Sequence, residues 1–435
     1  AAMAAAGAPA GPGEWRGAAY WRALCPGLSI EGQGAAPPPE PDRPRPEIAE
    51  HVRRGLLDEG FAVAPPEATG WGGLAERLGP AVEALEAAGW PATFVLAFDE
   101  AWTLVRAAEA LIAAATREAG DSGDGDGGDE GDLRACGDIL AWLVDPGRGQ
   151  AGFSPHRDRQ PDDVGASFRP GGAPRYATAW VPLGRAATPD SGCLYAIPRG
   201  ADPGYLAGDA VEEAGPGPLQ AALGTKEAHR RIRALPAGAG GAVCFTHRAL
   251  HWGSQGRPGA PPRASLSVGC SDAAFEPPYL ALPAAGAPPL AARLALAAAQ
   301  MVVYHQRFGP SAAQLGRFVA LYDAGKAALS PAHRARVAFA LVGACREATE
   351  GGGHDEDHRA ASGGGGGDGG EGEGVDLVDA ALERALEEGA WDDGVPDDFD
   401  DDAEATRAAV EEIYGGAGGV GRKRPRGAGG GEGEG

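Results

Sequence analysis

The chain has 435 residues, and Gly 72 with Pro 37 supply about a quarter of them, the level at which aperiodic Gly and Pro mark unfolded segments. A hydrophobic share of 43% with Trp 9, Tyr 8 and Phe 11 excludes a wholly disordered chain, and the glycines keep no G-X-Y period, which excludes collagen. The net charge of −23 is concentrated from Glu350 onward, where 24 acidic residues stand against 7 basic ones, and the body that remains is still acidic, which excludes nucleic-acid binding by phosphate neutralisation.

Residues 1–46 read as a flexible segment: the Ala-rich start lacks the basic stretch of a secretory signal, Pro9, Gly11, Pro12 and Gly13 interrupt it, and Ala35–Pro46 is a Pro-rich linker. No run of about 20 apolar residues predicts a membrane span. Helical periodicity follows over Glu47–Asp58, stopping at Gly60, over Gly72–Ala88 with a break expected near Pro80, and over Asp99–Ala119. Gly120–Asp132 is an acidic loop. From Asp138 the texture changes to short runs bounded by Gly, Pro, Asp and Ser, namely DILAWLVD, YATAWVPL, CLYAI, GGAVCFTHRALHW and RASLSVGCS, which predict the strands of a sandwich or barrel. Past Pro278 helices return over Leu290–Phe308, Ser311–Ala324 and Ser330–Thr349.

The organisation predicted is therefore a folded domain over 47–349 with its β core at about 138–272, a Gly-rich linker over 350–374, and an acidic low-complexity tail over 375–435. The tail is the candidate docking element for a protein partner. It contains a short basic cluster, Gly421–Arg426, of the nuclear-import type. Six widely scattered Cys without a CxxC pair point to a reducing, intracellular setting, the cytoplasm first, with nucleus or organelle as alternatives.

The sharpest chemical signal is His156-Arg157-Asp158 after the first strand, because residues at i and i+2 of an extended chain share a face and can grip one metal. A third ligand completes a facial triad of two His and one carboxylate, and GGAVCFTHRALHW offers both His247 and His251. Next, Arg263 and Ser265 alternate onto one face, a guanidinium fork and a hydroxyl suited to a carboxylate. Basic residues crowd the stretch after the metal pair, Arg157, Arg159, Arg169 and Arg175, and read as a lid for an anionic substrate. Arg175, Tyr176 and Trp142 are the candidate substrate residues.

With these residues in place, the stretch from Asp138 to Asp272 resembles the phytanoyl-CoA dioxygenase family of Fe(II)/2-oxoglutarate oxygenases. The marks are His156-x-Asp158, Ala179-Trp180-Val181-Pro182-Leu183, Asp190-Ser191-Gly192-Cys193-Leu194-Tyr195-Ala196-Ile197-Pro198, His251 near Gly253-Ser254, and Arg263. The resemblance implies an α+β fold with an all-β core, a double-stranded β-helix (jelly roll, cupin-like) flanked by N- and C-terminal helices. It implies His156, Asp158 and His251 as Fe(II) ligands, with Arg263 anchoring 2-oxoglutarate and Trp180 and Ser265 beside it. The activity implied is hydroxylation of a small organic substrate, anionic or acyl-type, with release of succinate and CO2. Two departures stand out: Trp252 separates His251 from Gly253-Ser254, and Pro198-Arg199-Gly200-Ala201 replaces the family's Pro-Gly-Ser-His turn. The alternative in another class is a non-catalytic jelly-roll module that binds a ligand or partner.

Overall fold

The computed structural model describes residues 12–35, 43–117, 132–159, 164–207, 222–283 and 286–350. Most of the acidic loop, the Gly-rich linker and the acidic tail with its basic cluster lie outside the described residues.

Ten strands are described: β1 (Ser29–Ile30), β2 (Gln33–Gly34), β3 (Phe61–Ala64), β4 (Arg134–Val144), β5 (Tyr176–Leu183), β6 (Leu194–Ala196), β7 (Arg233–Leu235), β8 (Ala242–Thr246), β9 (His251–Gly253) and β10 (Arg263–Ser271). Five of them form an antiparallel sheet in the order β3-β8-β5-β10-β4, and three form a second in the order β7-β6-β9. Every residue of β5 is buried, so its apolar run is continuous rather than alternating, because both sheet faces are covered. The helices Gly72–Ala87, Asp99–Thr116 and Leu290–Val303 pack on the large sheet. On the opposite face Trp180, Val243 and Phe245 join Cys193, Leu194, Ala196 and Leu235 of the small-sheet region in one apolar cluster. The strands expected from the sequence are all present.

Three local readings are corrected and one strand is added. The helix runs through Pro80 without a break. Gly79 leaves no room for a side chain, its Cβ position lying 2.6 Å from Gly184 Cα, and the Gly184 N–H donates to the Ala75 carbonyl at 2.8 Å. Close packing of the strand end on the helix thus adds a bond at the carbonyl next to that of Glu76, the one Pro80 leaves without its helical donor. GGAVCFTHRALHW is two strands, β8 and β9, with a turn at Thr246–Leu250, so His247 is not a strand residue. Strand β3 pairs with β8 from Phe61 to Ala64, a run too short to carry its own pattern.

The N-terminal segment is the third correction. Residues 12–35 form two short helices and a hairpin, and Trp21 is fully buried, stacked on Phe94 at 5.5 Å. The buried Glu100 carboxylate accepts from the Ser29 N–H at 3.0 Å and pairs with Arg77 at 2.7 Å. Removing a buried indole of this kind costs about 3–5 kcal/mol, enough to hold a segment whose composition alone reads as flexible.

Candidate metal centre

Residues 153–158 lie antiparallel to 247–253. Gly253 N–H donates to the Phe153 carbonyl at 3.0 Å, His156 and His251 exchange both backbone bonds at 3.0 Å, and Asp158 N–H donates to the His247 carbonyl at 3.1 Å. The approach is close because two glycines face each other: a Cβ on Gly152 would lie 2.6 Å from Gly253 Cα, and one on Gly253 would lie 2.7 Å from Gly152 Cα. Extended geometry then alternates the side chains. His156 and Asp158 turn to one side. Arg157 turns to the other, into a buried bidentate pair with Asp202 at 2.6 and 2.8 Å.

His156, Asp158 and His251 bring one ligand atom each to within 4.8 Å of one another. Both Nε2 atoms stand 3.5 Å from Asp158 Oδ1. Each imidazole uses its other nitrogen locally, His156 Nδ1 with the Ser154 carbonyl at 2.7 Å and His251 Nδ1 with the Ala249 carbonyl at 2.9 Å. Only a protonated Nδ1 can donate to a carbonyl, so these bonds fix the tautomer that leaves Nε2 with a free lone pair. Thr178 on β5 donates to the remaining oxygen, Asp158 Oδ2, at 2.6 Å. Burial alone would raise the Asp158 carboxyl, but the neighbouring His251 and His156 and the Thr178 hydroxyl hold it well below the usual carboxylate range. Burial and the proximity of His156 push His251 down to about 4, so it is neutral near pH 7. Two imidazole Nε2 atoms and one carboxylate oxygen are a donor set that a divalent metal takes.

His247 stands outside this group. Its Nδ1 bonds the Tyr176 carbonyl at 2.9 Å, its ring sits among Phe168, Tyr176 and Phe275, and burial pushes it down to about 4. Its position in the turn after β8 separates it from the face of His251.

Arg263 and Ser265 do share a face of β10. Ser265 lies opposite Pro182 on β5 and Trp142 on β4, and Ser267, two residues on, lies opposite Trp180. The guanidinium is 2% exposed, lies over the Trp180 ring at 5.1 Å, and donates from Nη1 to Ser265 Oγ at 2.8 Å. Its Nε is buried without a partner, and no carboxylate contacts it among the described residues. Burial pushes it down to about 10. Gly192, at φ +89°, puts no side chain beside Nε: its Cβ position lies 3.8 Å from Nε and 2.8 Å from the Ser254 carbonyl oxygen. A buried cation with an unused donor and no acid beside it is the signature of a site for an anion that arrives from outside.

The four arginines of the expected lid are paired among the described residues. Arg157 is held by Asp202, Arg159 by Asp138 and Glu276, and Arg169 and Arg175 by Asp272. Arg175 instead lines an open surface cavity of about 520 Å³ with Gly165, Phe168, Arg169, Pro170 and Leu206. Tyr176 is spent on Asp138, to which its hydroxyl donates at 2.9 Å; a Cβ on Gly269 would collide with that hydroxyl. Of the three candidate substrate residues only Trp142 reaches the triad's surroundings, 4.2 Å from Phe153, whose ring is 5.3 Å from His156.

Sequence reasoning missed the polar hub that backs the carboxylate loop. Asp138 on β4 accepts from Arg159, Tyr176, Gln300 and Tyr304, and Arg336 donates to Tyr279 beside Glu276. Arg159 also donates to the Asp158 carbonyl at 2.7 Å. The strand that supplies Asp138 and the helices that supply Gln300, Tyr304 and Arg336 thereby fix the backbone of Asp158. An alternating strand with one Asp gives no sign of such a role.

The chain matches no protein-family model and no curated protein sequence. Among solved structures it is similar to the non-heme alpha ketoglutarate dependent epimerase SnoN from nogalamycin biosynthesis, at 17% identity over 53% of this chain and 85% of that one, TM-score 0.36. It is also similar to SnoN in complex with Fe3+, alpha ketoglutarate and nogalamycin RO, at 17% identity over 56% and 94%, TM-score 0.35. A third is AviO1 from Streptomyces viridochromogenes, at 19% identity over 55% and 96%, TM-score 0.30. Scores of this size carry no argument about activity.

Proposed function

We propose that this chain is an iron(II)- and 2-oxoglutarate-dependent oxygenase of the phytanoyl-CoA dioxygenase type, built on a double-stranded β-helix, that hydroxylates a small anionic or acyl-type organic molecule and releases succinate and CO2. The observation that carries the reading is the pairing of two features: two imidazoles of fixed tautomer converging with a carboxylate, and a buried arginine left without an acid. Thr178 and Trp180 mark the two ends on one face of β5, two residues and so about 7 Å apart, a span that a five-carbon dicarboxylate bridges.

In this reading His156, Asp158 and His251 hold the metal, which with 2-oxoglutarate and dioxygen supplies oxidation of a C–H bond. The chain's own work is positional. Ser154 and Ala249 carbonyls aim the two Nε2 lone pairs, Thr178 fixes the carboxylate, and Arg263 with Ser265 takes the distal carboxylate of the cosubstrate over Trp180. Anaerobic titration of the metal-free chain with iron(II) and 2-oxoglutarate should give a visible charge-transfer band. Asp158→Ala should abolish it and Arg263→Met should weaken it at least tenfold in 2-oxoglutarate. A folded wild-type chain that retains no iron would end this reading.

A further inference from the structure

The helix His305–Phe308 carries a second cation to the same site. Arg307 lies over the Phe153 ring at 4.6 Å, and Phe153 is 5.3 Å from His156, so the guanidinium caps the triad on its aromatic side. Its charge is among the influences that lower His251. Unlike the four arginines of the expected lid, Arg307 makes no ion pair or side-chain hydrogen bond among the described residues, and it is exposed. Below it Trp142, Phe153 and Phe308 form a wall: Trp142 meets Phe153 edge-on at 4.2 Å and stacks on Phe308 at 4.2 Å and 11°. Trp142 Nε1–H is buried with no acceptor, the deficit expected where a bound group completes a site.

We propose that Arg307 and this wall are the specificity site for the substrate, taking the anionic group of a small molecule whose flat or apolar body lies along Trp142, Phe153 and Phe308. The physical reason is the charge balance. Among the described residues Asp158 is the one acid at the triad and is committed to it, so two guanidiniums, Arg263 in the depth and Arg307 at the rim, each lack a counter-charge there. One serves the cosubstrate under the function proposed above, on which this inference rests, and the other remains for the substrate. A guanidinium lying face-on to a ring keeps its N–H donors available to a carboxylate or a phosphate.

The test is anaerobic calorimetric titration of the full chain loaded with iron(II) and excess 2-oxoglutarate, which occupies Arg263, using 2-naphthoate, 2-naphthyl phosphate and neutral 2-naphthamide as probes. The expected result is that one or both charged probes bind at least tenfold more tightly than the amide, and the tighter of the two separates a carboxylate from a phosphate ester. Arg307→Gln should erase that preference without changing amide affinity or the iron(II)/2-oxoglutarate band, and Arg307→Lys should restore part of it. Equal binding of amide and acids by the wild type, or an unchanged preference in Arg307→Gln, would overturn the proposal. The band itself reports separately on the cofactor reading: a missing band with the charge preference intact rejects the oxygenase and supports the anion site.

Discussion

Replacing Arg263 with Met should make the metal-free chain more stable while removing its response to 2-oxoglutarate. Burial holds the guanidinium down to about 10 from its ordinary 12.5, which at about 1.4 kcal/mol per tenfold corresponds to roughly 3 kcal/mol of cost for carrying the charge inside. That cost is fully present at any pH well below 10, so it operates at pH 7.5. Against it stand one cation–π contact with Trp180, about 1 kcal/mol, and one hydrogen bond to Ser265, about 1 kcal/mol. Methionine keeps the apolar stem and can rest on the indole. The balance is a gain of about 1 kcal/mol, or a melting temperature about 2–4 °C higher. Thermal unfolding followed by circular dichroism, with and without 2-oxoglutarate and manganese(II), measures both halves. The wild type at a hundredfold excess over its dissociation constant should gain about 2.7 kcal/mol, and the variant almost none. A variant that melts lower than the wild type when metal-free, or that is stabilised by 2-oxoglutarate as the wild type is, would refute the view of Arg263 as a cation waiting for an anion.

Three further outcomes follow from the same geometry. Thr178→Val removes the hydroxyl that donates to Asp158 Oδ2 and should weaken metal affinity about 10–100-fold, read by competition against a chelator, with little change in the melt. His247 and His333 are pushed by burial down to about 4 and about 3. The unfolded chain therefore takes up protons near pH 6.5 that the folded chain refuses: stability is level above that pH and falls as pH drops toward 4, by roughly 3 kcal/mol per histidine at pH 4.5. Urea unfolding at pH 7.5 and 4.5 measures this, and His333→Phe, which preserves the stack on Tyr279, should show a shallower loss; an unchanged loss would contradict it. Arg157→Ala strands the buried Asp202 and should cost about 3–5 kcal/mol in chemical denaturation without altering substrate KM, whereas a lid residue would show the reverse.

The juxtapositions legible in sequence are those whose partners lie within a few residues. His156 and Asp158 are two apart on an extended strip, and Arg263 and Ser265 two apart on β10, so strand geometry alone pairs them. His251 against His247 could not be resolved that way, because the turn at Thr246–Leu250 sets which imidazole faces the carboxylate. The pairing of the basic stretch was hidden for a related reason. Arg157 and Arg159 look unpaired in sequence because Asp202 and Glu276 lie 45 and 117 residues further on. Arg307 went unnoticed inside an Ala- and Leu-rich helix whose end breaks at Tyr304. Composition misled at residues 12–35, where Ala, Gly and Pro outnumber the two indoles, Trp15 on Trp90 and Trp21 on Phe94, that anchor the segment.

The facing glycines at 152 and 253 have an evolutionary reading. Each fills the space that the other's side chain would need, and the strip they clasp carries His156 on one side and His251 on the other. A side chain at either position alone would wedge the two histidines apart, and adding a second would only widen the gap. Neither glycine therefore offers a neutral first step. Lineages that keep the two histidines converged should inherit the two together, so a mismatched pair would mark a descendant whose histidines no longer meet across this strip.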